Sequence, residues 1–342
     1  MKFSGIALFV LTLFALLTLS CGAPKTEISV LRPSEVDMSD HRNIAIADFS
    51  GEGNSGRAVA MKLTASLFNS DYFTIMERSR IRELLSEQAL GISGAVDPES
   101  AAELGRVLGV DAIIFGEVDA YSVEDESGTE KVTKRVWTGE YEKDDDGNII
   151  YEKTLFGKVK KKKYREELVD QPYIIRSGGV QVSFRVVDVE TAELLAVKTA
   201  FADYSKKASG SYEIGKLKPR DAVLSSLTEQ TVSQFIPVIA PYKVQVTKKF
   251  EKTTDRSKQA IKLVQSGLPG KALPIFESEA QQNPSAKSSY NLGVCYEVLG
   301  RYGDAEEEYD RAVTIDPKDL YIEALKNIRQ LKEERRLLEE RQ

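Results

Sequence analysis

Phe73-Thr-Ile-Met-Glu-Arg-Ser-Arg-Ile-Arg-Glu-Leu-Leu-Ser-Glu-Gln88 reads as a short strand handed directly to an amphipathic helix. Phe73, Ile75 and Met76 are apolar and strand-like, and Ser79 is a fair helix N-cap. Ile81, Leu84 and Leu85 then share one helical stripe, with Arg82, Glu83, Ser86 and Glu87 outside it. Glu77, Arg78 and Arg80 bring charge to the turn, but no histidine, thiol or metal-ligand cluster joins them. They read as a salt-bridge group between domains or subunits, and the stretch reads as scaffold.

The flanks extend the unit. Upstream, Asn43-Ile-Ala-Ile-Ala-Asp-Phe49 is a strand, and residues 57–69 form a helix with Val59, Leu63, Leu67 and Phe68 inward. Downstream, Asp97-Pro-Glu99 starts a helix, with an aspartate cap, a proline in the first turn and a glutamate suited to the dipole. Ala101, Leu104, Val107 and Leu108 face inward, Gly109 ends the helix, and Asp111-Ala-Ile-Ile-Phe-Gly-Glu-Val118 is the next strand. This β-α-β-α-α-β order predicts an α/β (α+β) domain of a sheet with helices packed on it.

Further on, Val180-Gln-Val-Ser-Phe-Arg-Val-Val-Asp-Val189 alternates, placing Val180, Val182, Phe184 and Val186 on one face of a hairpin completed by residues 194–201. A helix over 219–235 turns Leu224, Leu227, Thr231 and Phe235 inward, and residues 242–250 supply a candidate final strand. Residues 119–175 are a polar insertion with Trp137, the turn Asp144-Asp-Asp-Gly-Asn148 and a basic run over 158–165. It reads as a long exposed hairpin or flap. The domain so defined covers residues 43–250.

Composition narrows the function. At 342 residues, 42% hydrophobic and 29% charged, the chain is globular and long enough for two or three domains. A net charge of -6 offers no basic footprint, so no nucleic-acid partner is expected. The single histidine, His41, lies in a polar Asp-His-Arg turn and reads as solvated surface, which argues against a serine-histidine triad or a multi-histidine metal site. Two cysteines, Cys21 and Cys295, make no disulfide framework.

The amino terminus accounts for Cys21. After Lys2, an apolar run over 6–19 has the length of a signal-peptide core and is short for a bilayer span. Thr18-Leu-Ser-Cys21-Gly22 resembles a bacterial lipobox, with small Ser20 and Gly22 fitting well and Thr18 standing where leucine is commonest. The expectation is a signal peptide over 1–20, lipidation at Cys21, and a tether over 21–42 with a possible edge strand at 27–31. Gly22, where aspartate marks inner-membrane retention, implies by the same resemblance an outer-membrane lipoprotein facing the periplasm.

An ordered set of motifs carries a second resemblance. Ile44-Ala-Ile-Ala-Asp-Phe, Phe73-Thr-Ile-Met-Glu-Arg-Ser-Arg-Ile, Glu87-Gln88 followed by Gly94-Ala-Val-Asp-Pro, Ala102-Glu-Leu-Gly-Arg-Val-Leu-Gly-Val-Asp-Ala-Ile-Ile-Phe-Gly-Glu-Val, and Val187-Asp-Val-Glu-Thr together resemble the CsgG-like family of curli assembly and secretion components, over about residues 43–240. The resemblance implies a lipid-anchored periplasmic α/β domain that self-assembles or supports envelope assembly, with no catalytic residues.

The remaining residues, 253–342, resemble an all-α tetratricopeptide (TPR) region. Ser289, Leu292, Gly293, Tyr296, Ala305, Tyr309, Ala312 and Pro317 have the spacing of that repeat. Ala272, Phe276 and Pro284 stand 33 residues before Ala305, Tyr309 and Pro317, which marks a weaker preceding repeat. Gly293 and Ala305 are expected to let two helices approach, with Tyr296 and Tyr309 filling the gap; residues 320–338 form a closing helix. Cys295 reads as a core filler. Such a module binds peptides or partner domains, or packs on its neighbour.

Three motifs resemble sequences that carry chemistry. Gly51-Glu-Gly-Asn-Ser-Gly56 follows a strand and precedes a helix as a dinucleotide fingerprint does, with Glu77 as the ribose acid. Phe49-Ser50 loosens that turn, however, and a loop is the favoured reading. Glu142-Lys-Asp-Asp-Asp-Gly147 partly mimics a calcium loop, but Lys153 stands at its twelfth position, so a hairpin turn is favoured. Lys160-Lys-Lys-Lys163 is either a solvated face or a contact for anionic lipid or an acidic partner. The insertion lacks the alternation of membrane-spanning strands: Lys134 and Glu140 share a face with Val132 and Val136.

The favoured reading is a non-enzymatic, lipid-anchored envelope protein, without cofactor or metal, that forms a homo-oligomer or binds envelope partners through its repeats. The alternatives are a lipoprotein regulator of a cell-wall synthesis enzyme, and a nucleotide-binding enzyme using Gly51, Gly53 and Gly56.

Overall fold

The computed structural model describes residues 23–47, 49–76, 98–155 and 157–341, without the side chains of Ala101 and Leu104. The expected signal peptide, Cys21, the group of Glu77, Arg78 and Arg80, and the helix read over 79–88 lie outside the described residues. Along the chain run β1 (Lys25–Arg32), β2 (Asn43–Ile46), β3 (Ser50–Gly51), α1 (Ser55–Phe68), β4 (Thr74–Ile75), α2 (Pro98–Leu108), β5 (Ala112–Tyr141), β6 (Tyr151–Thr154), β7 (Gly157–Lys160), β8 (Lys162–Asp188) and β9 (Leu194–Ser209). Then follow α3 (Ser211–Ile214), α4 (Arg220–Ile239), β10 (Tyr242–Lys249), α5 (Asp255–Gln265), α6 (Pro269–Gln282), α7 (Ala286–Val298), α8 (Tyr302–Ile315) and α9 (Asp319–Glu340). Two compact units result: one spans His41–Val238, and the other joins the described residues up to Asp40 to those from Ile239 onward.

The first unit is a mixed sheet in the order β4-β2-β5-β8-β9, with β3 also on β5. β2 is parallel to both β4 and β5, while β8 is antiparallel to β5 and to β9. Val180, Val182, Phe184 and Val186 are fully buried on one face, as their alternation predicts. There Phe184 stacks on Phe235 of α4 at 4.5 Å and meets Phe49 edge-on at 5.4 Å. The opposite face is also buried at this end of the sheet. Ala102 and Leu108 of α2 pack with Ala45, Ile113, Phe115, Val187 and Val189.

Helix faces depart from expectation in detail. Val59, Leu63 and Leu67 of α1 are buried, but Phe68 is 74% exposed. Phe68 lies about 100° round the helix from Leu67, so it falls off the buried stripe and joins Ala58, Met61 and Ala65 on an outer one. Val107 is exposed for the same reason, while Ala102 takes its place inside. In α4, Val223, Thr228 and Val232 are buried with Leu227, Thr231 and Phe235, and Leu224 is only half-buried.

The insertion over 119–175 prolongs the β5–β8 pair of the sheet and ends in two smaller hairpins, one closed by Lys143 and Ile149 and the other β6–β7. β5 and β8 stay paired from Ala112 and Asp188 out to Trp137 and Tyr164. β9 accompanies them only as far as Tyr173 and Ser209. The two-stranded part beyond Gly128 and Tyr173 is a finger roughly 30 Å long, at about 3.3 Å per residue.

His41 is not solvated surface. Its Nε2 lies 2.7 Å from Asp188 Oδ2, and both side chains are 15% exposed. Burial pushes the Asp188 carboxyl up, but hydrogen bonds from His41 and from the Thr191 amide outweigh it and hold the group below the usual carboxylate range.

The second unit corrects the expected edge and final strands. β1 and β10 pair with each other, antiparallel from Lys25 and Lys249 to Arg32 and Tyr242, in a sheet of their own. The unit boundary therefore falls at Val238 and Ile239, not near residue 250. One face of this ribbon, with Ile28, Val30, Val244 and Val246, packs into the core of the helices α5–α9. Thr254 caps α5, and a reciprocal Ser285–Ser288 box caps α7.

Candidate interaction site

The helical unit grips an extended segment. Four residues of α7, Lys287, Tyr290, Asn291 and Glu297, recur at helical spacing and all reach residues 248–251 at the end of the ribbon. Tyr290 Oη donates to the Lys249 carbonyl at 3.0 Å. Asn291 Nδ2 donates to the Glu251 carbonyl at 2.9 Å, and Asn291 Oδ1 accepts from the Glu251 amide at 2.8 Å. Lys287 Nζ lies 3.8 Å from the Glu251 carboxylate. The carboxamide contact reads backbone alone, so it holds an extended chain whatever its side chains.

Below it lies a buried charge pair. The Glu297 side chain is fully buried and the Lys248 side chain is 9% exposed, with Nζ 2.5 Å from Oε1. Tyr309 Oη donates to Glu297 Oε2 at 2.7 Å. Burial, then the Glu297 carboxylate beside it, pushes the Tyr309 phenol well above its ordinary value. Glu297 thus has a cation against one oxygen and a hydrogen bond on the other, which offsets the cost of burying its charge.

The repeat signature supplies the frame. Leu292, Ala305, Tyr309 and Ala312 are buried. A Cβ on Gly293 would stand 2.7 Å from the Tyr309 ring, so α7 and α8 require glycine there. Tyr296 does not fill that gap: it is half-buried, and its hydroxyl donates to Glu277 of α6 at 3.0 Å. Pro317 is exposed between α8 and α9. Cys295 is buried, and burial pushes its thiol up to about 12. Sequence reasoning passed over Asn291, Glu297 and Lys248. The signal for Glu297 was its charge within the otherwise apolar Val294-Cys-Tyr-Glu-Val298 run.

The other motifs resolve into packing and turns. Ser50 and Gly51 pair with Glu117 and Val118, prolonging the sheet. A Cβ on Gly56 would fall 1.8 Å from the Phe49 carbonyl oxygen, so close approach of helix to strand accounts for that glycine. In the acidic turn, Asp144 Oδ1 accepts the amides of Asp146 at 3.1 Å and Asn148 at 2.7 Å, and Lys143 bridges Ile149 across a hairpin. Among the described residues, no helix is long and apolar enough to cross a membrane.

Comparison with known proteins accords with these two parts. The family model described as curli production assembly/transport component CsgG matches residues 12–164, and a tetratricopeptide repeat model matches residues 257–319. The first match begins nearer the amino terminus than the motifs predicted, and ends before Val187-Asp-Val-Glu-Thr. No curated protein matches the chain. Among solved structures, the lipoprotein GNA1162 from Neisseria meningitidis is 13% identical with a TM-score of 0.29, covering 56% of this chain and 96% of that one. The PelC dodecamer from Paraburkholderia phytofirmans is 11% identical with a TM-score of 0.25, covering 63% and 98%. At such scores neither likeness bears on the assembly of this chain.

Proposed function

We propose that this chain, which carries a CsgG-family region followed by tetratricopeptide repeats, is a lipid-anchored, non-enzymatic component of the cell envelope that works by self-assembly and partner binding. Cys21 is the acylated residue and the outer membrane its site, the protein facing the periplasm. Glu77, Arg78 and Arg80 stand in this reading as a salt-bridge group at a subunit or domain boundary.

One observation carries the assembly. On α1, Ala58, Met61, Ala65 and Phe68 form a second apolar stripe, with Met61 58% and Phe68 74% exposed. It borders a groove completed by Leu224 of α4. The rim holds Lys62 and Glu229, paired with each other at 3.0 Å, so the apolar stripe can meet the same stripe of a second copy without opposing an unpaired like charge there. The repeats hold extended chain, a capacity they already exercise on residues 248–251.

Crosslinking in intact cells tests the assembly. Cys295 is buried and Cys21 is proposed to be acylated, so Phe68→Cys supplies the reactive thiol. A bis-maleimide, joining one thiol per chain, should yield a species at twice the chain mass. Recovery of uncrosslinked chain alone would oppose the reading.

A further inference from the structure

We infer that the end of the finger, the β6–β7 hairpin, docks on an anionic phospholipid bilayer. This inference is independent of the assembly and the anchor proposed above. Every residue of β6 and β7 is exposed, and Leu155 in the turn joining them is 100% exposed. A large aliphatic side chain held fully in water at the apex of a turn gains from leaving it.

Charge lies behind that apex. Lys153 faces Lys158 across the hairpin, and Tyr151 faces Lys160. Because paired residues share a face and faces alternate, Tyr151, Lys153, Lys158 and Lys160 stand on one side of the ribbon. Glu152, paired with Val159, is on the other. Like charges directly opposite one another are unfavourable unless an anion joins them. Among the described residues, neither Lys153 nor Lys158 has an ion-pair partner, whereas Lys161 is held by Glu142 and Lys163 by Glu140. Residues 151–165 contain seven basic side chains and one acidic one, whereas the neighbouring turn carries Glu142, Asp144, Asp145 and Asp146, so the positive charge is confined to the β6–β7 hairpin.

The order along the hairpin selects a bilayer. An apolar tip comes first, then two opposed lysines, then Tyr151, which is 53% exposed, beside Lys160. Hydrocarbon, phosphate and the aromatic-favouring interface follow in that sequence along a membrane normal. Strands of four residues are far below the ~9–11 a spanning strand needs, so the contact is with the surface.

The test is made on the full chain carrying Leu155→Trp, with the sole tryptophan removed by Trp137→Phe. Vesicles of phosphatidylglycerol mixed with phosphatidylcholine should shift the tip emission to the blue and allow quenching by brominated lipid. Vesicles of phosphatidylcholine alone should do neither, although a lipid anchor would tether the protein to both. Adding Lys153→Ser with Lys158→Ser should weaken the response about 10- to 30-fold, the scale for two lysines at an anionic surface, and the corresponding arginine pair should retain it. An equal response on both vesicles, no response, or one unchanged by the serine pair overturns the inference. So does an equal response to soluble polyglutamate, which would assign the tip to an acidic protein.

Discussion

The carboxamide of Asn291 holds both the amide and the carbonyl of Glu251, at 2.8 and 2.9 Å. Asn291 is 1% exposed, so this grip is made out of water. Asn291→Ala leaves two backbone groups without their partner, at a cost of ~1–3 kcal/mol each where water cannot replace it. Amide exchange at residues 244–251 should accelerate in this variant while that of β8 is unchanged. Unaltered protection at 244–251 would mean that the ribbon does not depend on the grip.

Glu297 and Lys248 form a buried pair that is costly to break and easier to lose together. Glu297→Gln strands the Lys248 ammonium and should destabilise the helical unit by ~3–5 kcal/mol, read as a lower urea midpoint. Lys248→Met combined with Glu297→Leu should recover most of that loss, because apolar packing replaces the pair without a desolvated charge. A double variant as unstable as Glu297→Gln would contradict this account.

Acid should weaken the base of the finger. Asp125 on β5 accepts from Arg176 at 2.6 Å and pairs with Arg220 at 3.1 Å. The Arg176 hydrogen bond chiefly, against burial and with help from Arg220, holds its carboxyl at about 2 in place of 3.8. A depressed folded value means that the stabilisation is full above the ordinary carboxylate range and fades as pH falls from about 4 toward 2. Asp188 acts in the same direction. The urea midpoint of Asp125→Asn should therefore fall less steeply over that window than that of the parent. Parallel curves would remove Asp125 from the explanation.

Much of the first unit was legible because burial on one face leaves alternation, as at Val180, Val182, Phe184 and Val186. Val187 and Val189 broke the rule because α2 covers the other face, and no local pattern reports a second layer. Val244 and Val246 alternate as in any half-buried strand, so their pairing with Ile28 and Val30, some two hundred residues away, left no trace in local sequence. The repeat frame was legible in Gly293, Ala305 and Tyr309, whose sizes are dictated by close approach. The grip was not, since an asparagine beside Leu292 looks like any surface residue until its strand arrives.

Phe68 is exposed enough that the fold does not depend on it. Phe68→Glu should leave the unfolding midpoint of the first unit within ~0.5 kcal/mol of the parent, as surface changes do. The same change should disrupt self-association, because it buries a charge in an apolar contact. A large loss of stability would show instead that Phe68 serves the monomer.

The mass of the detergent-extracted full-length protein, by light scattering on a sizing column, tests self-assembly most directly. A single species at a whole-number multiple of the chain mass, reduced to one chain by Phe68→Glu, is the predicted result. A parent protein that elutes only as one chain across the concentration range would contradict it.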